Sequence, residues 1–262
     1  MRLTPYLASA ALLLAPAARA QTVAAEVAIQ QHRVESVDAR ASGRLVLVDG
    51  TGKRTTYKFI LKTHGFPDGV RLLEEVETPE PMRVLVHLEL NGHVTARLAH
   101  KDSAGKWVAT DVLPGHTADP LVGSGFALED LVDSQFFWKD QSFVGRAPCG
   151  SRTCVTLQSI SSSADRTQYA KVISSFDEKT NAVLHVIKTV HGSGEIKDFT
   201  CFDLRQSHGV SSATQIEVKI SGKPGSTLFL IDHGSAKAGL TRADFDITSA
   251  KLTGPEPKDG DF

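Results

Sequence analysis

MRVLVHLELNGHVTARL, residues 82–98, decides the fold. Met82, Val84, Val86, Leu88 and Leu90 alternate with Arg83, Leu85, His87 and Glu89, the two-residue period of a strand with one aliphatic face. Asn91-Gly92 follows, the strongest short-range signal for a two-residue hairpin turn, and returns the chain through His93 towards Leu98. The spacing predicts an antiparallel pair over residues 82–98.

The same period extends to both sides. Tyr57, Phe59 and Leu61 alternate with Lys58, Ile60 and Lys62, and residues 45–48 read as a more fully buried strand before the turn Asp49-Gly50-Thr51-Gly52. Downstream, strands are expected at 136–144, 155–160, 169–176, 182–190, 196–204, 215–220 and 227–231. The segments between them, such as Gly192-Ser193-Gly194 and Gly222-Lys223-Pro224-Gly225, have turn chemistry. Connections this short make hairpins, whereas parallel strands need crossovers of a dozen or more residues, so an antiparallel meander follows.

Two stretches depart from the period. Residues 22–37 space Val23, Val27, Ala28 and Val34 for one face of a helix. Residues 119–133, DPLVGSGFALEDLVD, read as a loop leading into a helix from near Ser124 that carries Phe126, Leu128 and Leu131 and covers one opening or face of the sheet.

The ends are different again. MRLTPYLASAALLLAPAARA, residues 1–20, has the basic, apolar and small-residue parts of a cleavable secretory signal, with cleavage expected after Ala20. Its apolar core is about half the ~20 residues that a spanning helix needs. Gln21 stands where a lipid-anchored chain would carry Cys. Residues 253–262, GPEPKDGDF preceded by Thr253, are polar and turn-rich and read as a frayed tail. Residues 21–252 read as a single domain.

The whole chain carries 29 Lys and Arg against 30 Asp and Glu, with no basic stripe, which argues against a nucleic-acid partner. Cys149 and Cys154 flank four residues that turn the chain, and a disulfide between them suits an exported protein. Cys201 lies in an apolar run and reads as an inert thiol. His87, His93, His185 and His191 lack the close pairing with carboxylates that presets a metal site, so no metal is expected. Ser124 lacks the glycine two residues before it that a nucleophile elbow requires, and Ser193 and Ser235 sit in glycine turns. No catalytic residue and no cofactor is expected, and the chain does not read as an enzyme. What remains is an aliphatic sheet face with few helices to cover it. Such a face is either a filled core or the lining of an apolar cavity, and periodicity leaves both open.

An ordered series of segments resembles the LolA-like family of outer-membrane lipoprotein-sorting proteins. Residues 40–48, 53–62 and 69–77 resemble its first strands, followed by a proline-containing turn at Thr78-Pro79-Glu80-Pro81. Gly123-Ser124-Gly125-Phe126-Ala127-Leu128-Glu129-Asp130-Leu131 is similar to the family signature G-S-x-F-x-x-E-D-L and is the most specific match. Gly145 to Cys149, Phe176 to Thr180 and Gly239 to Phe245 follow in the expected order. The resemblance implies a mainly β fold, a strongly curved antiparallel sheet or incomplete β-barrel with a few helices over its concave face. It implies a periplasmic carrier or chaperone that binds the acyl chains of a lipoprotein, or a free lipid, between sheet and lid. An inner-membrane exporter and an outer-membrane acceptor are its implied partners. A non-transporting envelope interaction or sensor module of the same fold, assisting a membrane exporter, is the alternative. The expected lining residues are Tyr57, Phe59 and Leu61, then Val84, Val86, Leu88 and Leu90, with Phe126, Leu128 and Leu131 from the lid.

Overall fold

The computed structural model describes residues 15–252, with side chains from residue 23 onward. The expected tail at 253–262 lies outside the described residues, as does most of the expected signal segment. One α-helix, α1 (Ala15–Glu35), precedes thirteen strands. They are β1 (Asp38–Val48), β2 (Arg54–Phe66), β3 (Gly69–Glu77), β4 (Met82–Leu88), β5 (Val94–Lys101), β6 (Trp107–Asp111), β7 (Asp140–Cys149), β8 (Arg152–Ile160), β9 (Tyr169–Asp177), β10 (Val183–Val190), β11 (Ile196–Ser207), β12 (Val210–Ile220) and β13 (Ser226–Ala236).

All thirteen form one antiparallel sheet in the order β6-β5-β4-β3-β2-β1-β13-β12-β11-β10-β9-β8-β7. Two meanders, β1 to β6 and β7 to β13, are therefore joined by the pairing of the first strand with the last, in which Leu45 faces Phe229. The sheet does not close into a barrel, because β6 and β7 are its free edges. These two edges are consecutive in the chain, so residues 112–139 must run from one to the other across the concave side. That connection is called the strap below.

Alternation places one apolar set inside the curve. Leu45, Phe59, Val70, Leu72, Val76, Val84, Val86 and Leu88 from the first meander meet Val155, Leu157, Val172, Phe176, Val186, Phe199, Val218 and Phe229 from the second. Val27 and Val34 of α1 and Leu121, Phe126, Leu128 and Phe136 of the strap complete this core. On α1 the buried row is Val27, Gln30 and Val34, whereas Ala28, expected on that face, is exposed. The opposite, convex face of β3 and β4 has a smaller cover. There Leu73, Ala99 and Trp107 pack with Leu240, Phe245 and Ile247 from the stretch after β13. Arg83 is buried in this cover, 4.0 Å above the Trp107 ring, with Nε donating to Glu75 and Nη1 to the Ile247 carbonyl.

Two expectations are corrected. Strand β4 ends at Leu88, and the turn is a three-residue loop in which Gly92 N donates to the Glu89 carbonyl and Glu89 N to that of His93. Gly92 takes φ +89°, the left-handed position that closes such a loop. Leu90 thereby falls on the turn tip, 45% exposed, and leaves the aliphatic stripe. The helix expected from Ser124 is a series of short 3-10 turns at Leu121–Gly123, Leu128–Leu131 and Ser134–Phe137. Phe126, Ala127, Leu128 and Glu129 are buried in succession, so the strap has no single apolar face on which an amphipathic helix could form.

Candidate functional site

The strap is the piece of chain that fills the concave side, and its sequence explains how it sits there. Ser124 Oγ accepts a hydrogen bond from Phe126 N, a local serine turn that competes with helix formation. Gly125 lies flat on β12 and β13, its N–H donating to Thr227 Oγ1 at 2.9 Å. A Cβ at position 125 would stand 2.8 Å from Val218 Cγ1, so only glycine permits this approach. Val122 is held at φ +44°, a strained conformation for a β-branched residue. Phe126 then enters the core edge-on to Phe199 and tilted against Phe229.

Polar contacts pin the strap after Phe126. The Asp130 side chain is fully buried. Its Oδ1 accepts from Lys188 Nζ at 2.7 Å and from the Tyr169 hydroxyl at 2.7 Å. Its Oδ2 accepts from Lys197 Nζ at 3.2 Å and Ala127 N at 2.8 Å. Burial opposes the charged form of Asp130, but Lys188 and Lys197 outweigh it and hold the carboxyl below its ordinary range. The same burial, with Asp130 beside it, drives the Tyr169 hydroxyl well above its usual value. Glu129 accepts from Thr167 Oγ1 and Gln168 N, and burial raises its pKa. Asp133 pairs with Arg33 of α1 at 2.7 Å, and Gln31 Nε2 donates to the Phe136 carbonyl, so helix and strap are fastened together.

Two clefts flank this latch. The larger, about 570 Å³, opens where the β1–β2, β10–β11 and β12–β13 turns meet the strap. Its walls include Leu47, Val218 and Ile220, the strap residues Gly123 to Gly125, and polar Lys53, Gln168, Lys197 and Thr227. The smaller, about 220 Å³, lies between Arg33, the strap and β10 to β12, lined by Phe126, Asp130, Val186, Lys188, Phe199 and Ile216. Only the larger falls within the ~300–1,000 Å³ usual for ligand sites.

Of the expected lining residues, Phe59, Val84, Val86, Leu88, Phe126 and Leu128 are sealed in the concave core, and Tyr57, Leu61 and Leu131 pack half-buried against it. Of the two clefts, the smaller is bordered by Phe126. Leu90 points away on its turn. Lys188 and Lys197 were not among the expected residues, although the sequence carries a sign of them. Each occupies the inward phase of its strand, with Val186 two residues before Lys188 and Phe199 two residues after Lys197. Cys149 and Cys154 form a disulfide at the tip of the β7–β8 hairpin, with Cα atoms 5.8 Å apart. Burial drives the half-buried Cys201 thiol up to about 12. Among the described residues no group of three His, Cys, Asp or Glu converges on a point that could hold a metal ion.

Comparison with known proteins gives a family and a fold. A family model described as "Uncharacterized protein" matches residues 110–251. No curated protein matches the chain by sequence. Among solved structures, a domain assigned to outer membrane lipoprotein sorting from Vibrio parahaemolyticus superposes with a TM-score of 0.74 at 18% identity, covering 87% of this chain and 97% of that one. A DUF1329 family protein from Desulfovibrio piger gives 0.74 at 16% identity, covering 86% and 97%. A LolA superfamily protein from Nitrosomonas europaea gives 0.64 at 10% identity, covering 85% and 97%.

Proposed function

Because this chain belongs to the family whose model spans residues 110–251 and is LolA-like in fold, we propose that it is a non-enzymatic periplasmic carrier that shelters acyl chains of a lipoprotein or a free lipid on its concave face. One observation carries the reading: the apolar concave face is covered by α1 and by a connection between the two free edges of the sheet, and not by a second sheet. A filling of that kind can lift while all twelve strand pairings stay intact, and what it exposes is aliphatic and aromatic. The cleft of about 570 Å³ beside Gly125 is the place from which an alkyl chain would advance.

Magnitudes favour the idea. At roughly 0.8 kcal/mol per buried CH₂, a chain of about sixteen carbons contributes on the order of 12 kcal/mol before ordering costs. Part of that gain must displace the strap, so the carrier holds its cargo without trapping it. Export by the amino-terminal segment and staging between an inner-membrane donor and an outer-membrane acceptor complete the proposal. The test is native mass spectrometry of the full protein purified from its own cell envelope. Copurifying lipid or lipidated peptide is the expected result, and a consistently empty protein would overturn it.

A further inference from the structure

The latch has the composition of an anion site. Lys188 and Lys197 stand directly opposite each other across β10 and β11, where like charges repel. Their side chains are only 7% and 8% exposed, so water does little to screen them. Both point into the hollow, beside the Tyr169 ring 4.9 and 5.6 Å away, and Lys188 also lies 5.1 Å from the Phe199 ring. Two buried ammonium groups in an apolar wall need an anion between them. In the closed protein that anion is the carboxylate of Asp130, one oxygen to each lysine. The neighbouring acidic groups are otherwise engaged: Asp133 with Arg33, Glu129 with Thr167 and Gln168, and Glu195 with Lys223.

The latch also divides the two clefts. Lys197 borders the larger, while Lys188 and Asp130 border the smaller. When the strap lifts, Asp130 departs with it. The two clefts then join, and the lysines and the Tyr169 hydroxyl face a hollow walled by Val186, Phe199 and Val218. Without a replacement anion, the two ammonium groups would stand opposite each other without the carboxylate that bridges them. We propose that Asp130 is a built-in substitute for the anionic head of the carried molecule: Lys188, Lys197 and Tyr169 bind a phosphate or carboxylate attached to an acyl chain, and ligand and strap exchange at this point. The inference rests on the carrier reading and narrows its cargo to anionic amphiphiles.

Calorimetric titration of the full protein with palmitoyl lysophosphatidate, with monopalmitoylglycerol and with inorganic phosphate tests it. Lysophosphatidate should bind at least tenfold more tightly than the uncharged glyceride. The K188M/K197M double variant should lose that preference while still binding the glyceride, and D130N should bind lysophosphatidate several-fold more tightly than the unaltered chain. Equal affinities of the two amphiphiles for the unaltered protein would overturn the headgroup site and leave the carrier standing, whereas binding of neither would end both. Inorganic phosphate binding as tightly as lysophosphatidate would assign the lysines to a free oxyanion and overturn the exchange. Should a variant fail to fold, the ratio measured on the unaltered protein decides.

Discussion

Glu74 sits on the concave face of β3 between Leu72 and Val76, with Leu61 and Val84 as its cross-strand neighbours. Neither of its carboxyl oxygens has a partner among the described residues, and burial pushes its pKa from 4.5 up to about 8. A folded chain that holds this proton while the unfolded chain releases it near 4.5 binds more protons throughout that interval. Stability from this group is therefore full below about pH 4.5, falls as pH rises towards 8, and levels off above it. At about 1.4 kcal/mol per pH unit, E74Q should be on the order of 3–4 kcal/mol more stabilising at pH 8 than at pH 5. Urea denaturation of both proteins at the two pH values measures this, and an equal difference at both would refute it. Glu74, Lys188 and Lys197 share one sequence sign, a charge in the inward phase of an apolar strand. The phase is legible without a structure, but the partner is not. Glu74 has Leu61 and Val84 across from it and no hydrogen-bond partner among the described residues, whereas the lysines meet a carboxylate more than fifty positions away.

At the scale of elements, the strands were readable because each carries its own period of two, and all seven stretches expected downstream overlap strands β7 to β13. The hairpin after β4 shows where this stops: Asn91-Gly92 marks a turn, yet whether Leu90 belongs to strand or loop depends on one residue of register. The strap departs from the expected helix for a different reason. Phe126, Ala127, Leu128 and Glu129 are buried in succession and Leu131 is half-buried, so the apolar spacing carries no helical face. Its seating predicts the behaviour of G125A, whose added methyl would collide with Val218. That variant should lose about 1–3 kcal/mol, the usual cost of overpacking, and unchanged stability by denaturant melt would show that the strap does not lie in contact with Val218. The Cys149–Cys154 bridge closes only the tip of the β7–β8 hairpin, and neither cysteine lines either cleft. Replacing both cysteines by serine should cost no more than roughly 2 kcal/mol and leave amphiphile binding unchanged, as calorimetry on the oxidised and substituted proteins would reveal.

For the molecule as a whole, the decisive contact is the pairing of β1 with β13, which no local pattern announces and which turns two meanders into one open sheet. It places β6 and β7 at opposite edges and compels the strap to cross between them, so a removable filling is a consequence of strand order. Opening then breaks the contacts of the strap, the ion pairs of Asp130 and Asp133, the hydrogen bonds of Gly125, Glu129 and Tyr169, and the packing of Leu121, Phe126, Leu128 and Phe136, while every strand keeps its partners. A unit attached in this way opens at a free energy below that of global unfolding. Hydrogen exchange should therefore be faster at buried amides of residues 121–138 than at those of β1 and β13, and D130N should accelerate the strap alone. Lysophosphatidate exchanging places with Asp130 should leave the protection of β1 and β13 unchanged while altering that of the strap. Protection of the strap equal to that of β1, in both the unaltered chain and D130N, would mean that the concave side opens only when the whole sheet unfolds, and a carrier could not work that way.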